Sequence, residues 1–182
     1  MAATGELISM AEYLHTSYSP DCEFVDGEVL ERNWGDGPHA ALHTFFIGYF
    51  AEHAEEFGVR VYPSLRTRVS DSRIRVPDVL LQRRDDPFED IVTVPPLLCI
   101  EVLSPEDRMI AMLEKIDDYL EMGVPVVWLI DPRRRRMFCG DKEGLHPVAE
   151  LVVPGSDVRL ASAEVFADFN AWVTGSRRSS AE

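Results

Sequence analysis

Hydrophobic positions change their period several times along the chain, and each change predicts an element. Ser9-Met10-Ala11-Glu12 has capping-box spacing, which predicts a short helix through Tyr13 and Leu14. Cys22-Glu23-Phe24-Val25 and Glu28-Val29-Leu30-Glu31 flank Asp26-Gly27, a strong signal for a two-residue hairpin. After a turn at 34–38, Leu42, Phe45, Phe46, Tyr49 and Phe50 recur at helical spacing over 39–57, with Gly58 placed to end the helix. Residues 59–69 predict one or two strands broken near Pro63; 75–81 predict another, and 83–89 a charged loop.

Leu97-Leu98-Cys99-Ile100-Glu101-Val102-Leu103 is an almost continuous apolar run, the pattern of a strand buried on both faces. Ser104-Pro105 predicts a helix start, with Ser as N-cap and Pro at the first helical position. Met109, Met112, Leu113, Ile116, Tyr119 and Leu120 form that helix's stripe, and Gly123 ends it. Val126-Val127-Trp128-Leu129-Ile130 is a second buried strand, so 97–130 is the size of a βαβ unit with parallel neighbouring strands. Short strands follow near 137–138 and 151–153, then a helix over 162–173 and a frayed, disordered tail at 176–182. The fold class is α/β, or α+β with a mixed sheet.

Composition narrows the class. A chain of 182 residues with 46% hydrophobic residues suits one domain over 1–175, large enough to hold a core without disulfides or a structural metal. No apolar run approaches the ~18–20 residues of a membrane span. The N-terminus lacks signal-peptide features, so a cytoplasmic protein with no membrane partner is expected. Cys22, Cys99 and Cys139 are too few and too scattered for a disulfide framework or a zinc cluster, and read as buried small hydrophobes. The net charge of −14 repels nucleic acid at long range. Among 18 basic residues only Lys115 and Lys142 are lysine, which singles them out.

Three residues break the apolar pattern in a way that points to chemistry. Glu101 interrupts the buried run, and a carboxylate there must be protonated, paired or bound to a cation. Asp78 lies in Val76-Pro77-Asp78-Val79, where Pro-Asp also reads as a turn. Lys115 shares a helix face with Met112 and Tyr119 and so lies beside the buried stripe, although a snorkelling or solvated lysine has the same spacing. Two carboxylates on different strands and a lysine on the intervening helix suit a divalent hard cation, Mg²⁺ or Mn²⁺, working with an ammonium on a bound water. Metal-assisted phosphodiester hydrolysis is the reaction such a set performs.

Pro77-Asp78, Glu101-Val102-Leu103-Ser104-Pro105, Glu114-Lys115, Tyr119, Gly123-Val124 and Trp128-Leu129-Ile130-Asp131-Pro132 together resemble the Uma2 (DUF820) family of the PD-(D/E)XK nuclease superfamily. Glu23-Phe24-Val25-Asp26-Gly27-Glu28 is similar to that family's hairpin, and His39 matches the His that opens its first long helix. The resemblance spans about 10–169. It implies a restriction-endonuclease-like core, a central mixed sheet flanked by helices with an N-terminal hairpin. It also implies a Mg²⁺-dependent endonuclease on DNA, of a kind that can pair as a homodimer, with no small-molecule cofactor. Carried over residue by residue, Asp78 and Glu101 hold the metal with the carbonyl of Val102, and Lys115 poises the water. The superfamily's usual lysine two positions after the Glu is Leu103 here, and an Asp of many relatives is Ala111.

Accessory candidates are Glu23, which the hairpin can turn toward the metal, and His39, four residues before His43, a spacing shared by metal pairs, substrate contacts and plain helix packing. Arg66, alternating with Arg68, suits either phosphates or a salt bridge. Arg133 to Arg136 is the one dense basic run and reads as a phosphate patch or a solvated turn. Two rival functions remain: a catalytically weak nucleic-acid-binding or regulatory protein, and a self-associating structural protein in which Glu101 and Lys115 form a buried ion pair.

Overall fold

A computed structural model of the chain describes residues 7–33 and 35–174. Trp34 in the expected turn and the expected disordered tail at 176–182 lie outside the described residues. Helix α1 (Met10–His15) starts at Ser9, whose hydroxyl accepts from the Glu12 N–H as the capping pattern requires. Strands β1 (Cys22–Val25) and β2 (Glu28–Glu31) pair antiparallel around Asp26 and Gly27, both at positive φ (51° and 98°), as a type I′ turn demands. Helix α2 (Gly37–Glu52) follows, capped by the Asp36 carboxylate, and then β3 (Val59–Pro63), β4 (Thr67–Arg68), β5 (Arg73–Arg75) and β6 (Val79–Arg83).

The single strand expected over 75–81 is two strands in two sheets. Strand β5 pairs with β1 and β4, in a four-stranded sheet of order β2-β1-β5-β4. Strand β6 pairs with β3 and with β7 (Leu98–Val102). The chain changes sheet across Val76-Pro77-Asp78, where Pro77 has no N–H to offer either ladder.

The chain continues through α3 (Met109–Met122), β8 (Val127–Asp131), β9 (Arg136–Asp141), β10 (Gly144–Val148), β11 (Glu150–Val152), β12 (Arg159–Ala161) and α4 (Ser162–Thr174). The main sheet has the order β10-β9-β8-β7-β6-β3. Only β7 and β8 are parallel within it, which is the relation the βαβ spacing predicts. Alternate residues divide its faces. Leu98, Ile100 and Val102 of β7 meet Leu42, Phe46 and Phe50 of α2 and Val165 of α4, whereas Cys99 faces Met112, Ile116 and Tyr119 of α3. The smaller sheet has its own core of Tyr13, Cys22, Phe24, Val29 and Ile74.

Helix α3 does not begin at Ser104-Pro105. The Asp107 carboxylate accepts the Ser104 N–H at 2.6 Å and an Asn33 amide hydrogen at 2.7 Å, residues 104–107 form a separate turn, and the helix begins at Met109 without a side-chain cap. At its other end Gly123 has φ 108°, and a Cβ there would stand 3.3 Å from Pro95. Gly123→Ala is expected to cost about 1–2 kcal/mol in urea unfolding, since L-residues resist this left-handed conformation.

Candidate active site

The sheet change at Val76-Pro77-Asp78 brings carboxylates from both sheets together. Glu23 comes from β1, Asp78 from the bend and Glu101 from β7, and Lys115 of α3 lies above them; all four line one cavity of about 230 Å³. All four are buried, at 2%, 5%, 2% and 9% exposure.

Lys115 is neither snorkelling nor solvated. Its Nζ lies 2.8 Å from Glu23 Oε1 and 2.9 Å from Glu101 Oε1, and donates to the carbonyl of Val76 at 3.0 Å. Burial works against its charge, but the Glu101 and Glu23 carboxylates outweigh it and push the ammonium above the ordinary lysine range. Glu101 also accepts a hydrogen bond from the Tyr119 hydroxyl at 2.9 Å. Burial, with the charges of Asp78 and Glu23 added, raises the Glu101 carboxyl to about 7 despite Lys115.

Asp78 is held differently. Its Oδ1 accepts from Arg32 at 2.8 Å, and its Oδ2 from His39 Nε2 at 3.1 Å and from the Val102 N–H at 2.8 Å. Its carbonyl accepts from His43 Nε2 at 2.8 Å and from the Ser64 N–H at 3.1 Å. Burial alone would raise its pKa, yet the His39 hydrogen bond and the charges of His39, Lys115 and Arg32 hold the carboxyl well below the usual range. Two carboxyls in one cavity therefore differ widely in proton affinity, which is characteristic of functional sites.

Of the residues singled out in the sequence, Asp78, Glu101, Val102, Lys115, Glu23 and His39 come together. Arg66 does not: its guanidinium pairs with Asp21 at 2.5 Å and lies over the Tyr13 ring, outside the cavity lining. Arg68 pairs with Asp71. In the basic run, Arg133 pairs with Asp36 and Arg134 with Asp131. His43 holds Asp78's backbone and not its carboxylate.

Sequence reasoning missed Arg32, Arg75, Asp118 and the hydroxyl of Tyr119. Arg75 is buried to 2% exposure and bridges Glu23 (2.9 Å) to Asp118 (2.6 Å), fixing the Glu23 carboxylate while the Val76 N–H donates to it at 3.1 Å. The alternation Arg73-Ile74-Arg75 signals a strand with one polar face, but not that this face is buried against α3. Ser104 Oγ is buried on the cavity wall with no hydrogen-bond partner among the described residues.

The Uma2 family, described as "Putative restriction endonuclease", matches residues 10–174. A crystal structure of "a putative nuclease belonging to DUF820 from Anabaena variabilis" superposes with a TM-score of 0.77 at 20% identity, covering 89% of this chain and 99% of that one. That likeness shows the fold. The DrdV–DNA complex aligns over 74% of this chain and 12% of its own, with a TM-score of 0.39 and 11% identity. No curated protein matches the chain. Among the described residues no helix is long and apolar enough to cross a membrane.

Proposed function

The chain belongs to the Uma2 family, and from that premise we propose that it is a metal-dependent endonuclease hydrolysing phosphodiester bonds of DNA. The observation that carries the reading is the meeting of Asp78 from the bend between the sheets, Glu101 of β7 and Lys115 of α3 in one cavity. The donor set suits Mg²⁺ or Mn²⁺: two carboxylates and a neighbouring carbonyl are hard oxygens, and the unpartnered Ser104 hydroxyl adds a polar atom on the same wall. Asp78, Glu101 and the Val102 carbonyl would hold the ion, which when bound supplies a water of lowered pKa and offsets charge on the phosphate.

The remaining work falls to the chain's own groups. Lys115, kept cationic by Glu23 and Glu101, would act on the oxygen that gains charge during attack through its fixed positive charge on the cavity wall. Tyr119 and Lys115 fix the Glu101 carboxylate. Arg32 and His39, which hydrogen-bond Asp78 on the cavity wall, would be the groups to offer N–H donors to phosphate oxygens. Uncapped N–H groups in the first turn of α3, beside Ala111 on the cavity wall, favour an anion on the same side.

The first test is relaxation of supercoiled plasmid by the purified protein in Mg²⁺ or Mn²⁺, with metal binding titrated on the same sample. Nicking that needs metal and stops with chelator supports the reading; folded protein that neither binds metal nor nicks overturns it. Arg32→Ala refines it. Removing this cation is expected to tighten metal binding about tenfold, while nicking falls about tenfold or more for want of a phosphate donor. Calorimetry and the plasmid assay separate the two effects.

A second reading has its own support. Lys115 is fully engaged by Glu23, Glu101 and Val76 in the protein alone, as a purely structural ion pair would be. The two readings predict opposite stability changes for Glu101→Gln.

A further inference from the structure

The third cysteine is more than a core-filling residue. Cys139 stands directly opposite His146 in the β9–β10 ladder, and Asp141, two residues along β9, presents its side chain on the same face. The three ligand atoms lie within 4.8 Å of one another. Asp141 Oδ2 is their common point, 3.6 Å from His146 Nε2 and 4.0 Å from Cys139 Sγ. Bond lengths of ~2.0–2.3 Å in a tetrahedral zinc site put neighbouring ligand atoms about 3.3–3.6 Å apart, so small side-chain movements close the remaining gap. The other carboxylate oxygen, Asp141 Oδ1, accepts the Glu143 N–H at 2.8 Å, which aims Oδ2 at the pair.

The site is independent of the acid cavity. Cys139 aligns with Trp128 and packs against the core beneath α2 and α4, whereas Glu101 meets Lys115 of α3 on the opposite face of the sheet. Half-exposed side chains, 44% for His146 and 31% for Asp141, leave a path from solvent.

From this geometry we infer that Cys139, Asp141 and His146 form a binding site for a divalent transition metal of the zinc class, with solvent water as the fourth ligand. A mixed sulfur, nitrogen and oxygen set suits zinc over the hard cations of the acid cavity. Binding expels the Cys139 thiol proton to solvent as the metal–sulfur bond forms. The thiolate, and not the thiol, is the ligand, so uptake weakens as pH falls. Bound metal clips edge strand β10, where Pro147 contributes no N–H, to β9.

Cobalt(II) is the probe. One equivalent added to the full chain is expected to give a near-ultraviolet thiolate-to-cobalt charge-transfer band that added Zn²⁺ abolishes. The band is lost in Cys139→Ser, weakened in His146→Ala and retained in Glu101→Gln, with far-ultraviolet circular dichroism confirming that each variant is folded. No band in the wild-type protein overturns the inference. So does an undiminished band in Cys139→Ser, which would place the ion on Cys22 or Cys99. Neither outcome depends on nuclease activity, so this site and the acid cavity stand or fall separately.

Discussion

Lys115→Met is expected to destabilise the metal-free protein by about 3–5 kcal/mol near pH 8, the usual cost of removing one partner from a buried ion pair. Its ammonium is shared by Glu23 at 2.8 Å and Glu101 at 2.9 Å, and each of those carboxylates is 2% exposed. Methionine fills similar volume, so the loss reports charge and not a cavity. Arg75 still balances Glu23, and the stranded charge falls mainly on Glu101. Burial already raises the Glu101 carboxyl and loss of Lys115 raises it further, so it takes up a proton as the pH is lowered and then needs no cation. The deficit should therefore shrink between pH 8 and pH 5, and Glu101→Gln in the same chain should recover much of it. Urea unfolding of the two single variants and the double variant at both pH values measures the coupling. A change within about 0.5 kcal/mol at pH 8 would mean that Lys115 behaves as a solvated side chain.

The same pair shows what could be read from the sequence. Glu101 and Lys115 were legible because each breaks a strong local pattern, a charge inside an apolar run and a lysine beside a helical stripe. Asp78 was legible as a residue, but its setting was not. Val76-Pro77-Asp78-Val79 looks like continuous strand, and only the pairing of β5 with β1 and of β6 with β7 turns it into the junction between two sheets. Arg32, Arg75 and Asp118 carry no local mark of burial, because their meaning lies in partners 43 to 52 residues away along the chain. The start of α3 was misplaced for a related reason. Ser104-Pro105 satisfies a local capping rule, but the Ser104 hydroxyl accepts no N–H among the described residues, and the Asp107 carboxylate that holds the Ser104 N–H is itself tied to Asn33, from beyond the N-terminal hairpin. Strand β10 escaped notice because His146-Pro147 dilutes its pattern, and a proline is tolerated there only because the strand is an edge. Local chemistry thus identifies which residues are unusual, and topology decides what they meet.

Glu101→Gln separates the nuclease reading from the structural one by the sign of a stability change. In the folded protein burial, reinforced by Asp78 and Glu23, raises this carboxyl from 4.5 to about 7. A raised folded-state pKa contributes stability that is fully present below the unfolded value and is lost as pH climbs through the folded one. Wild-type protein therefore carries a penalty above pH 7 of about 3 kcal/mol at most. Glutamine has the shape of the protonated acid and does not titrate. The variant should exceed wild type in metal-free stability by roughly 1–3 kcal/mol at pH 8 and match it near pH 4.5. Were Glu101 kept for its ion pair with Lys115, the variant would instead be the less stable at pH 8. Activity should move the other way: plasmid nicking is expected to fall by about a thousandfold or more, since a neutral amide neither holds a divalent cation well nor balances Lys115. Adding Mg²⁺ then closes the comparison, because a ligand that binds only the folded state raises its melting temperature. Wild-type protein should gain stability from the ion and the variant should not, so that the order of stabilities narrows or reverses. A variant more stable than wild type without metal, and no longer so with Mg²⁺, would mean that Glu101 is held in the fold for the cation.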